Sequence, residues 1–165
     1  MLYFKYTQNG EQTERMNEMG ITISNHKHSM DMGAFGYAAL RATISRLVPC
    51  QEFVDIYKEL MNFNRAWRDS EFITLKEYFD DYDRRAEAIC EANQLDEEIV
   101  NFLYKPDTCT KSVSVKTCRH LWALIKDYDD DVLYGYVARK DCAKFKDFKE
   151  IVRTCVEDKR VMRFS

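Results

Sequence analysis

Residues 30–48, MDMGAFGYAALRATISRLV, place Tyr37, Leu40, Ile44, Leu47 and Val48 at three- and four-residue steps, the spacing that stacks side chains on one face of an α-helix. In the first half of this stretch the other faces are apolar too, with Ala34, Phe35, Ala38 and Ala39. A helix apolar nearly all round belongs inside a fold, touched from more than one side. Gly33 and Gly36 each lower its propensity by roughly 1 kcal/mol against alanine. They therefore predict the close approach of another backbone, which a missing Cβ permits. Ser29 is the expected N-cap. Pro49 ends the helix and suits the first turn of the next one.

That next helix, 51–63, carries Phe53, Ile56, Tyr57, Leu60 and Met61 on one stripe, with Glu59 on its outer face. Residues 64–73 have little period, and Trp67 is their expected anchor. Thr74 and Glu77 match the capping box, in which each side chain satisfies the other residue's backbone N–H. The helix they open buries Leu75, Tyr78, Phe79, Tyr82, Ala86, Ile89 and Cys90. Leu95 and Val100 flank Asp96 as a hydrophobic staple does, opening a short helix that ends before Pro106. Residues 107–114 read as a loop or a brief strand through Val113 and Val115. Cys118, Leu121, Trp122, Ile125 and Tyr128 then make another helical face, broken by Asp127–Asp131.

Strands are expected at the two ends of the chain. Leu2–Tyr6 and Ile21–Ile23 are short candidates, separated by the Asn9-Gly10 turn signal and a polar helix over 11–19. Val132–Arg139 reads as a strand, Asp141 as a cap for a helix carrying Phe145, Phe148, Val152 and Cys155, and Val161–Phe164 as a final strand. Strand, helix and strand so tightly joined predict a parallel βαβ unit. The expected fold is α+β: about five or six helices packed around the central one at 30–48, with a small sheet of two to four strands, in a single globular domain over residues 1–165.

The chain is 45% hydrophobic and 32% charged with only five glycines and two prolines, which excludes collagen-like and broadly disordered classes. No apolar run reaches the roughly 18 residues that span a bilayer, and no basic-then-apolar leader opens the sequence. Cytoplasmic localisation is the expectation. Cys50, Cys90, Cys109, Cys118, Cys142 and Cys155 include no CxxC spacing, and free thiols are expected.

Four clusters invite chemistry. His26-Lys27-His28 with Asp31 could supply three ligands to one metal, although a solvated loop ahead of a helix explains the same residues. Asp127, Asp129 and Asp131 alternate like the start of a calcium loop, but Val132 and Ala138 stand where glycine and glutamate are required. Lys140, Lys144, Lys146, Lys149 and Arg153 give the C-terminal helix a basic side suited to phosphates, interrupted by Asp141, Asp147 and Glu150. Residues 69–107 hold twelve Asp/Glu against four Lys/Arg, with Asp80, Asp81 and Asp83 at the centre. Cys118 and His120 stand two apart and face different sides of a helix, so they make no nucleophile–base pair.

No phosphate-binding loop, GxGxxG, GxSxG or HExxH occurs, so no cofactor is expected and the commonest enzyme classes lack their signatures. The expected function is a small interaction or regulatory protein acting by protein–protein binding. One form is an inhibitor whose acidic face, Asp80, Asp81 and Asp83, occupies a basic groove of its target. The alternatives are a metal-dependent hydrolase using His26, His28 and Asp31, and a nucleic-acid binder through Lys140, Lys144 and Arg153.

Overall fold

A computed structural model describes residues 20–104, 112–134 and 142–165. The strand expected over Leu2–Tyr6, the helix expected over 11–19 and the cap expected at Asp141 lie outside these residues. The class is α+β: seven helices and four strands are found among the described residues.

The apolar stretch does form a helix, α1 (Ala34–Leu47), burying Tyr37, Leu40 and Ile44. Its first turn is shorter than the pattern suggests. Ser29–Met32 is a strand, β2, in which Met30 and Met32 point inward while Ser29 and Asp31 are exposed. Ser29 is therefore no N-cap; Gly33 takes that position, in extended conformation with φ −74°. Gly36 repays its presence as expected: a Cβ there would sit 2.0 Å from the Tyr134 carbonyl oxygen.

Pro49 separates α1 from α2 (Gln51–Met61), which is followed by the short α3 (Phe63–Arg68) and by α4 (Leu75–Ala92). Both halves of the Thr74/Glu77 capping box are present. The far end of α4 closes with Gln94 at φ 48°. There the Gln94 N–H bonds to the Glu91 carbonyl and the Leu95 N–H to the Cys90 carbonyl, the Schellman pattern. One oxygen of Asp96 accepts the N–H groups of Glu98 and Ile99, starting α5 (Glu97–Tyr104). After β3 (Ser112–Val113), Ser114 caps α6 (Val115–Ile125). Last come α7 (Phe145–Glu157) and β4 (Met162–Phe164).

The sheet order is β2-β1-β4-β3, with β1 being Ile21–Ser24 and every pairing antiparallel. The expected parallel βαβ unit is thus corrected. Met162 and Phe164 bring apolar side chains to Val113 and Ile23 on neighbouring strands, so β4 returns to the N-terminal hairpin. Leu133 instead makes one antiparallel bridge to Lys144, and residues 135–139 lie outside the description.

One face of the sheet, Ile23, Met30, Met32, Val113 and Met162, joins the core. The other carries Thr22, Asp31 and Arg163, the alternation expected of a half-solvated antiparallel sheet. α1 touches α2, α5, α6 and β2, but the most extensive helix–helix contact is between α6 and α7. That pair buries Cys118, Leu121 and Ile125 against Phe148, Ile151 and Cys155.

Gly36→Ala raises intrinsic helix propensity yet drives a methyl into the Tyr134 carbonyl. We expect net destabilisation of about 1–3 kcal/mol, the usual range for overpacking, measured by urea denaturation. A stabilised variant would mean the 132–134 segment is not held against α1.

Candidate functional site

The two N-terminal histidines lie in the turn of the β1–β2 hairpin, which Asn25 shapes by accepting the Lys27 and His28 backbone N–H groups. This turn is clamped onto α7. The Asn25 amide donates to the Ile151 carbonyl at 2.9 Å. His26 Nε2 stands 2.9 Å from Asp158 Oδ2, and the Lys27 ammonium lies 2.5 Å from the same oxygen. His28 Nε2 is 3.6 Å from Glu150 Oε1, while Asp31 accepts the Thr22 hydroxyl at 2.5 Å. His26, His28 and Asp31 therefore go to three different partners, and the oxygen nearest His26 already carries an ammonium. Among the described residues no group of three or more His, Cys, Asp and Glu has metal-binding geometry. Asp31 also sits on a strand, not at a helix start, so the sequence arrangement that made it a third ligand does not form.

The acids of α4 separate into three situations. Asp80 is exposed and paired with Lys76 one turn earlier. Asp81 is held by Arg84 and, at 2.7 Å, by Arg85. Arg85 continues across to α2, with its two terminal nitrogens at 2.6 and 2.9 Å from the two oxygens of Glu59. The Tyr78 hydroxyl donates to Glu59 as well, at 2.9 Å. Glu59 is thus the centre of a partly buried network tying α2 to α4, which corrects its placement on an outer face. The Arg85 hydrogen bonds hold its carboxyl below the usual carboxylate range, against the opposing effect of burial.

Asp83 is different again. Its Oδ1 is buried without a hydrogen-bond partner among the described residues. Burial, and then repulsion from Glu87 and Asp80, push its carboxyl up to about 6. The three aspartates do not form one exposed acidic face.

Three basic residues of the candidate patch are also paired. Lys144 reaches Asp131 at 3.2 Å and Lys149 reaches Asp130 at 2.8 Å. Arg153 is bound to Glu150 at 2.6 Å and approaches Glu157. Lys140 lies outside the described residues. The Asp127–Asp131 stretch is a loop that caps α7, with the Lys146 N–H on the Asp130 carbonyl and the Lys149 ammonium on the Tyr128 carbonyl. Cys118 and His120 face apart as expected: Cys118 is fully buried, whereas His120 Nδ1 lies 2.5 Å from Asp96 Oδ2. A pocket of about 400 Å³ lies between α5, β3 and α6, and its one charged group, Glu98, is tied to Lys116 and Thr117.

What charge does not provide, apolar surface does. The turn between α3 and α4 exposes Ile73 to 88%, with Leu75 at 40% and Phe72 at 38% beside it. It stands on a firm base. Phe72 and Trp67 each pack edge-on against the Tyr78 ring at 6.0 Å, and Phe63 packs against Phe79 at 5.8 Å. The sequence reading missed this surface because residues 64–73 have no period. The signal was the Phe72-Ile73 pair, set directly before a capping box where apolar side chains have no helical face to join.

Comparison with protein-family models, with curated proteins and with solved structures finds no match to this chain. No described helix is long and apolar enough to cross a membrane.

Two substitutions check the electrostatics. Glu59→Ala strips Arg85 and Tyr78 of a shared partner, and a loss of about 1–3 kcal/mol is expected in denaturant melts at pH 7. For Asp83 the sign is reversed. Its folded carboxyl titrates near 6, above the ordinary 3.8, so ionisation weakens the folded state and stability is regained as pH falls from about 6 toward 4. Asp83→Asn should therefore be more stable than the parent at pH 7, by at most about 3 kcal/mol, and equal to it near pH 3.5. Equal stabilities at pH 7 would show that Asp83 is solvated.

Proposed function

We propose that the chain is a protein-binding module, acting by non-enzymatic contact through the turn between α3 and α4. The observation that carries this reading is Ile73, exposed to 88% on a turn whose flanks are fixed by aromatic packing and by a capping box. An aliphatic side chain held out this far, with Phe72 and Leu75 beside it, has the form of an anchor for an apolar pocket on a partner. The preformed base keeps the ordering cost of association small.

The acidic inhibitor surface expected from Asp80, Asp81 and Asp83 is replaced in this reading. Asp81 is paired with Arg84 and Arg85, and Asp83 is half-buried, so the three aspartates do not present three free carboxylates to a basic groove.

The test is site-specific photocrosslinking with the full chain in an extract of the organism that makes it. A crosslinker at position 73 should trap one discrete protein, and one at exposed Ala88 should not. Excess unlabelled parent should abolish the adduct, whereas excess Ile73→Asp should leave at least most of it. Identical adducts from positions 73 and 88, or equal competition by the Asp variant, would remove this surface from consideration.

A further inference from the structure

The cavity between α5, β3 and α6 holds about 400 Å³, within the range that takes a small molecule. Its lining residues sort by chemistry. Buried Phe102 and Val113, with exposed Val161 beside them, make one side apolar. Exposed Asn101, Ser112 and Ser114 add an amide and two hydroxyls. Among the described residues that line it, Glu98 alone is charged. That carboxylate is held in place. Glu98 Oε2 accepts the Thr117 hydroxyl at 2.6 Å, and Thr117 Oγ1 stands 2.9 Å from Ser114 Oγ. Thr117 has given its one hydroxyl proton to Glu98, so Ser114 is the donor to Thr117. Glu98 Oε1 meets the Lys116 ammonium at 2.6 Å, but the Lys116 side chain is 67% exposed and is no part of the cavity wall. An exposed pair of this kind contributes little, so another cation can take its place. The hydrogen bonds from Lys116 and then Thr117 hold the Glu98 carboxyl below the usual carboxylate range, which keeps it charged at neutral pH.

We propose that this cavity is a binding site for a small hydroxylated amine of the amino-sugar class. The ligand's ammonium meets the Glu98 carboxylate, which as an acceptor-only group has lone pairs to spare beyond those used by Lys116 and Thr117. Its hydroxyls meet Asn101, Ser112 and Ser114, and one C–H face lies against the apolar side. A neutral sugar lacks the charge for Glu98, and a plain alkylamine lacks the hydroxyls for the rim. The arrangement asks for both on one small ring. The site shares no residue with the turn between α3 and α4, so each can hold without the other.

The experiment titrates the isotope-labelled full chain with glucosamine and follows backbone amide shifts by NMR, at about pH 6, where an amine of this kind is charged. Shifts that saturate in the millimolar range are expected at Asn101, Ser112, Ser114 and Thr117. Glucose, without the charge, and cyclohexylamine, without the hydroxyls, should each bind about tenfold more weakly. Glu98→Gln should cost glucosamine about tenfold in affinity, the scale of one charge-assisted hydrogen bond. Lys116→Ala removes the competing cation and should tighten binding by about 1.5- to 5-fold, the range for exposed ion pairs. Equal binding of glucose or cyclohexylamine would overturn the proposal. So would shifts that do not saturate, an unchanged affinity in the Glu98 variant, or no gain in the Lys116 variant. Should Glu98→Gln prove unfolded by circular dichroism, the ligand comparison and Lys116→Ala decide.

Discussion

The architecture turns on one contact between two backbones, where the Tyr134 carbonyl lies against α1 at Gly36. A Cβ at this position would meet the Tyr134 carbonyl, so any other residue forces one of the two backbones to shift. Close approach there lets the Tyr134 ring lie along the helix, and its hydroxyl donates to Thr43 Oγ1 at 2.8 Å. Thr43 in turn donates to the Ala39 carbonyl and accepts from Arg46, so a buried hydroxyl is fully satisfied inside the helix. The same segment starts α7. The Tyr134 N–H bonds to the Ala143 carbonyl and the Phe145 N–H to the Val132 carbonyl, both at 2.8 Å. From that origin α7 presents Phe145, Phe148, Ile151 and Val152 to the core and its outer edge to the β1–β2 hairpin.

Charge in this molecule is used mostly to hold its own elements together. The hairpin turn is pinned to α7 through Asp158 and Glu150, α2 to α4 through Glu59, Arg85 and Asp81, and the loop before α7 to that helix through Lys144 and Lys149. Exposed pairs of this kind contribute little each, but the Glu59 network has a different weight, because Tyr78 is buried and Glu59 and Arg85 are partly so. The pairs made by Asp80 and Asp81 are with bases of the same acidic stretch, whereas Lys144 and Lys149 are paired with the loop before α7. The turn at Phe72–Leu75 leaves three large apolar side chains exposed together. Asp83 stands apart as an ionisable group that the fold tolerates at a cost, with its own helix neighbours Asp80 and Glu87 opposing its charge.

The helices other than α3 were legible because each carries its own stripe and its own punctuation. Pro49 separates α1 from α2, Thr74 and Glu77 open α4, and Asp96 opens α5. These are interactions among residues a few positions apart, and local chemistry is enough to specify them. β2 was not legible, although Ser29-Met30-Asp31-Met32 alternates cleanly. The apolar run that follows draws the eye into one long helix, and four residues are too few to settle a period. The candidate sites fared worse for a related reason. A sequence shows that His26 and His28 are two apart, but not that Asp158 and Glu150 lie beneath them, more than a hundred residues away in the chain.

The sequence by itself determined the α+β class, the break at Pro49 and the capped start of α4, and it pointed to close backbone approach at Gly33 and Gly36, of which Gly36 shows it. Those follow from side-chain periodicity, proline and capping geometry, all written within a turn or two of chain. Only the tertiary structure decided which way β4 turned, because its pairing with β1 and β3 depends on where Ile23 and Val113 leave apolar neighbours for Phe164 and Met162. It also decided that Glu59 is inside a network and that Asp83 is partly desolvated. Each depends on the register between helices, which is fixed by packing across distances that no local pattern encodes.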